Sequence, residues 1–167
     1  MSALLSIKPT YAEAILSGIK KWEFRRRKFM EKPDRVYIYC TSPVRRVVGF
    51  FEPGEIISGS SKEIWRKCGK DGAISRKEFF KYSNSGTIHA IKILRVEKLE
   101  IPMKLNLLGK NKAPQSFCYI NVGQFQFKLR KFFYFLYMFK RFGHDTSDRK
   151  RAKKNSETRL KHPQSLP

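Results

Sequence analysis

At 167 residues, 41% hydrophobic and 14% aromatic, the chain is long enough for one domain with a buried core. Its 36 basic against 14 acidic residues give a formal charge of +22. That is far beyond what solubility needs, and it implies a polyanionic partner such as RNA, DNA or an acidic membrane face while saying nothing about fold.

In chain order, Leu4 to Ile7 reads as a short strand stopped at Lys8-Pro9, because proline disfavours helix at the residue before it. Thr10 with Glu13 makes a capping box, which predicts a helix from about Tyr11 to Leu16 with Gly18 as its stop. The octet Lys20-Lys21-Trp22-Glu23-Phe24-Arg25-Arg26-Arg27 follows as a strand. Pro33-Asp34 marks a turn, and Val36 to Cys40 is strongly β-prone. After the Thr41-Ser42-Pro43 turn, Arg45 to Glu52 is a further strand ended by Pro53-Gly54. Ser60 with Glu63 and Ser75 with Glu78 are capping boxes that predict two short helices. Thr87 to Leu99 fits a long, bent strand.

The strands lie too close together for repeated βαβ crossovers. The order therefore predicts an α+β fold, a small and partly open β-barrel of about five to six mostly antiparallel strands with short helices over one end. Basic residues outnumber acidic ones 24 to 11 over residues 1–120 and 12 to 3 over 121–167. Residues 1–120 are expected to form the domain. Residues 121–142, with their aromatic core Phe132 to Phe139, are expected to form a helix packed on it, and the basic stretch 143–167, without an aromatic residue, is expected to be disordered.

Cys40, Cys68 and Cys118 are odd in number and show no CxxC spacing. With His89, His144 and His162 equally scattered, no metal cluster is expected, nor any cofactor. The cysteines fit packing roles in a reducing compartment, so the expected location is cytoplasmic, or nuclear in a nucleated cell. Met1 to Lys8 lacks the pattern of a signal peptide. The run Phe132 to Phe139 is too short to span a bilayer, so no integral membrane association is expected.

The octet carries the chemistry. Alternation along a strand puts Lys21, Glu23, Arg25 and Arg27 on one face and Trp22 and Phe24 on the other. One carboxylate among three cations suits an anionic ligand with donor groups, the cations holding phosphate and Glu23 accepting a hydrogen bond. It equally suits a solvated face in which Glu23 relieves like-charge repulsion. Tyr37 and Tyr39 are either stacking surfaces for bases or core. Trp22, Phe24 and Trp65 are assigned to packing.

The run Ser6-Ile7-Lys8-Pro9, Tyr11-Ala12, Ile15-Leu16-Ser17-Gly18, Lys20, Glu23 and Arg25 is followed by Tyr39, Thr41-Ser42-Pro43, Gly49 and Pro114-Gln115-Ser116-Phe117. Over about residues 3–120 this resembles the ASCH domain family of the PUA-like superfamily. The resemblance implies a β-barrel with helices across one end and a cleft for RNA or a nucleotide-like ligand. Lys8, Lys20, Glu23 and Arg25 would face that cleft, with Ser42 and the Gln115-Ser116 pair on its rim. Some family members are transcription coactivator modules, some ribonucleases, and some amidohydrolases that deacylate acetylated cytidine. In the amidohydrolases the G-x-K lysine acts with a threonine three residues on. Lys20 matches that lysine, but Glu23 stands in place of the threonine, which argues against this chemistry.

The expected function is therefore nucleic-acid binding, with RNA as the foremost partner. Lys8, Lys20, Arg25, Arg26 and Arg45 would contact phosphate, and Glu23, Gln115 and Ser116 would give polar recognition, with Ser42 on the rim. The alternative is hydrolysis of RNA or of a modified nucleoside with Lys20 and Glu23 as an acid–base pair.

Overall fold

The structure, a computed structural model, describes residues 1–84 and 86–121. The helix expected over 121–142, apart from Asn121, and the tail expected over 143–167 lie outside those residues.

The described chain runs β1 (Ser2–Ile7), α1 (Pro9–Leu16), β2 (Trp22–Arg25), β3 (Arg35–Cys40), β4 (Arg46–Ser60), α2 (Ser61–Cys68), α3 (Arg76–Ser83), β5 (Thr87–Met103) and β6 (Phe117–Ile120). Short 3-10 turns follow α2 at Gly69–Asp71 and β5 at Leu105–Leu108. The six strands form one sheet in the order β2-β5-β4-β3-β1-β6. Only β1 and β3 pair in parallel, and every other pair is antiparallel. Parallel pairing needs a crossover, and α1 with β2 supplies it between β1 and β3.

Several boundaries differ from the sequence expectation for local reasons. Lys8, not Thr10, is the N-cap of α1 and makes no side-chain cap bond, because Pro9 occupies the first turn. Proline's fixed φ is already helical and its missing N–H would be unbonded there anyway. The capping boxes at Ser60-Glu63 and Ser75-Glu78 form as expected. β2 keeps only the four central residues of the octet. β4 runs on through Pro53-Gly54, where the register with β5 shifts on both sides of Pro53. A proline is tolerated inside a strand at such an irregularity because no ladder bond is asked of its nitrogen there.

The sheet buries two apolar layers. Ala3, Leu5 and Ile7 of β1 meet Val36, Ile38 and Cys40 of β3, Phe51 of β4 and Ile91 and Ile93 of β5, with Ala12 and Ile15 of α1 packed against them. On the other side of the β2–β5 pair, Trp22, Phe24, Ile88 and Ala90 meet Ile64 and Cys68 of α2 and Phe79 of α3. Each fully buried side chain of this size contributes roughly 1.5–3 kcal/mol by leaving water. Tyr37 and Tyr39 are buried and belong to the core.

Candidate functional site

The end strands of the sheet, β2 and β6, share no ladder, yet one side chain joins the two ends. Arg25, the last residue of β2, donates from Nη2 to the carbonyl of Ser6 in β1 at 3.0 Å and from Nη1 to the carbonyl of Ser116, just before β6, at 3.4 Å. The sheet must therefore curl until its ends face each other. The Ser6 amide donates to the same Ser116 carbonyl at 3.1 Å, and the Ser6 hydroxyl donates to Pro114 O at 2.6 Å. These bonds fix the Pro114-Gln115-Ser116 run against the end of β1.

Lys20 reaches the site through the turn after α1. Gly18 takes a φ of +75°, which glycine adopts without strain. The Lys20 amide then donates to Ala14 O at 2.8 Å, the Lys21 amide to Asp71 O at 2.7 Å, and Lys21 O accepts from Ile93 N at 2.8 Å. Pinned on both sides, Lys20 turns inward. Its Nζ donates to Gly72 O and lies 5.2 and 5.0 Å from the ring centroids of Tyr11 and Phe24.

Glu23 sits between the two cations, 3.6 Å from Lys20 Nζ and 3.0 Å from Arg25 Nη2. Lys20, Glu23 and Arg25 are 2, 6 and 7% exposed. The triad is thus interior, so of the two readings left open by the octet's alternation, the solvated face does not hold for Glu23 and Arg25. Glu23 and Arg25 do share a face, but Lys21, Arg26 and Arg27 stay in solvent. Burial pushes the Lys20 ammonium below its ordinary lysine value, the Glu23 carboxylate pulls it back up, and Arg25 adds a smaller push down. Burial, with Glu78 and Glu23 nearby, raises the Tyr11 phenol. Arg25 Nε is buried with no hydrogen-bond partner among the described residues.

The other sequence-predicted residues surround this triad. Lys8 is exposed at the start of α1 and contributes to the lowered pKa of Glu78 in α3, after the larger effects of the Ser75 hydroxyl and amide. Thr41 N donates to Ile7 O at 2.9 Å, which brings the turn carrying exposed Ser42 and Arg45 beside Lys8. Gln115 is exposed and Ser116 half-buried. Arg26 lies apart from that corner, its guanidinium 5.4 Å from the Tyr82 ring of α3.

Sequence reasoning missed one pair. Ser58 Oγ of β4 and His89 Nδ1 of β5 are 2.7 Å apart, and His89 is the register partner of Arg25. Neither residue belongs to a spacing motif. Only the pairing of β4, β5 and β2 brings them into one row. Burial, and Lys28 to a lesser degree, lower the His89 pKa. No group of three or more metal-ligating side chains exists among the described residues, and no helix there is long and apolar enough to cross a membrane.

Comparison with known proteins places these features in context. No family model matches the chain. It is 31% identical over 123 residues to the ASCH domain-containing ribonuclease of Zymomonas mobilis, spanning 71% of this chain and 83% of that one. A segment of the large ribosomal subunit protein uL22 of Ureaplasma parvum is 30% identical over 119 residues, but the match covers only 38% of that protein. The crystal structure of ASCH from Zymomonas mobilis superposes with a TM-score of 0.70 and 26% identity, covering 78% of this chain and 94% of that one.

Proposed function

This chain belongs to the ASCH domain family, with the PUA-like α+β fold, and on that premise we propose that it binds RNA. The carrying observation is the cationic corner around the end of β1. There Lys8 and Arg45 are exposed beside Ser42 and Gln115, while the buried Arg25 holds the Ser116 backbone in place. Exposed cations attract phosphate from any sequence, whereas Ser42, Gln115 and Ser116 offer donors and acceptors to base edges or ribose hydroxyls. Lys20 and Glu23 lie beneath this surface and support its geometry by holding Arg25 and the turn at Gly72. Arg26, stacked beside Tyr82, extends the cationic surface toward α3. A relative named a ribonuclease supports RNA as the polyanion.

The test is titration of a labelled single-stranded RNA into the full chain at increasing KCl. Affinity should fall log-linearly with salt, with a slope of about 0.7 per phosphate contacted. Replacing Lys8, Arg26 and Arg45 together with alanine should reduce that slope by roughly 2. A salt-independent affinity, or a triple variant with the wild-type slope, would refute the reading.

A second reading, cleavage of RNA, is favoured by the name of the Zymomonas relative. Lys20 and Glu23 are one acid–base assignment for it, and the lowered lysine pKa suits it. Product formation abolished in Glu23→Gln while RNA is still bound would support that assignment.

A further inference from the structure

We propose that His89, oriented by Ser58, is the proton-transfer group of an RNA-cleaving centre on the row Arg25-His89-Ser58. The proposal rests on the RNA-cleaving reading above and departs from it on the identity of the base.

The geometry comes from the sheet. Arg25 pairs with His89 across β2 and β5, and Ser58 pairs with His89 across β4 and β5. Residues directly opposite each other in antiparallel strands project to the same side. That side is fixed by their neighbours, since Phe24 and Ala90 enter the layer under α2 and α3 while Ile91 enters the opposite one. Arg25, His89 and Ser58 therefore line one face across three adjacent strands. Ser58 is exposed and His89 half-buried, so a ligand at this edge can reach the imidazole.

The buried triad contrasts with this. Lys20 Nζ is enclosed and donates to Gly72 O while facing Glu23 at 3.6 Å. Lys20 is only 2% exposed, against a half-buried His89, so a ribose hydroxyl has little access to it. His89 has both a reachable edge and a partner for its second nitrogen. The Oγ···Nδ1 contact is 2.7 Å, and we assign the tautomer in which Nδ1–H donates to Ser58 Oγ, which leaves the Nε2 lone pair free to act as a base. The charged groups next to it are Arg25 of β2 and Lys28 just beyond that strand. Together with burial, Lys28 keeps the imidazole neutral to lower pH than an ordinary histidine, which a base working near neutrality requires.

The step balances without any further reactant. His89 Nε2 takes the proton of a ribose 2′-hydroxyl, and the 2′-oxygen attacks the adjacent phosphorus as the P–O5′ bond breaks. The departing 5′-oxygen takes a proton from water, and the imidazolium returns its own to solvent. The products are a 2′,3′-cyclic phosphate and a 5′-hydroxyl. Exposed Arg26, Arg27 and Lys28, which follow β2 directly, supply cations for the phosphate.

The experiment uses the full chain and a labelled oligonucleotide carrying a single ribose in a deoxyribose strand, with binding followed by anisotropy and cleavage by gel and mass spectrometry. The wild type should give the cyclic phosphate at that ribose only, with an acid limb in its rate profile below the ordinary histidine range. His89→Gln should retain affinity within about threefold while losing at least roughly a hundredfold in rate, together with that acid limb. Ser58→Ala should lose about tenfold, because the ring then samples both tautomers. If RNA is bound but not cut by the wild type, or is cut by His89→Gln at the wild-type rate or with the same acid limb, this inference is overturned and the binding reading stands. If RNA is not bound at all, both fall.

Discussion

Replacing Glu23 with glutamine keeps the side chain's shape and removes the single negative charge between two buried cations. At 3.6 and 3.0 Å, and with an effective dielectric near 20, each attraction amounts to about 5 kcal/mol before desolvation. Desolvation of the three ions offsets much of that, so the intact triad adds little net stability. Its loss is another matter, because the glutamine variant leaves Lys20 and Arg25 inside the protein without a counter-charge. Removing one partner of such a pair costs about 3–5 kcal/mol. For a domain of this size roughly 3–6 °C of Tm accompanies each kcal/mol, so Glu23→Gln should melt roughly 10–30 °C below wild type. Circular-dichroism melts with a parallel urea titration would measure it. Lys20→Met should be much milder, since Glu23 then still pairs with Arg25, and Glu23→Gln should cost less in that background than in the wild type. A Glu23→Gln melt within about 2 °C of wild type, or strict additivity in the double variant, would show that the triad does not hold buried charge.

Three further outcomes follow from the packing. The folded His89 pKa lies below the ordinary 6.5, so the unfolded chain binds the extra proton first. Stability from this group is complete above about pH 6.5 and falls as pH drops through the window beneath it, and urea midpoints between pH 7 and 5 should decline more steeply in wild type than in His89→Gln. Gly72→Ala would place a Cβ 2.4 and 2.8 Å from two Phe24 ring atoms and move the carbonyl that receives Lys20. It should destabilise by about 1–3 kcal/mol in urea titrations. Ser75→Ala removes the hydroxyl that accepts from Glu78 N at 3.2 Å and donates to its carboxylate at 2.6 Å. It should lower stability by about 1 kcal/mol, with helical circular dichroism lost ahead of the global transition.

Local signals fared best where the chemistry is local. The Ser60-Glu63 and Ser75-Glu78 boxes fold as their spacing requires, and Gly18 ends α1 with a positive φ. The Thr10-Glu13 box did not form, because Pro9 claims the helix start first. β6 was missed as a strand since Phe117–Ile120 is only four residues long and becomes a strand by pairing with β1. β4 outran its expected end at Pro53, because β5 supplies a partner up to Ser60. The site divided in the same way. Alternation placed Glu23 and Arg25 on one face, but it could not say whether that face met water or the interior of the sheet.

The sequence by itself determined the cationic character, the approximate strands and helices, and the residue types able to hold phosphate. All of these depend on charge count or on contacts within a few positions. Tertiary structure alone decided that Lys20, Glu23 and Arg25 are enclosed, that Arg25 ties β2 to Ser6 and Ser116, and that Ser58 and His89 stand next to it. Those facts depend on strand order and register across residues 19 to 91 positions apart, and neither periodicity nor spacing along a chain encodes which strands become neighbours.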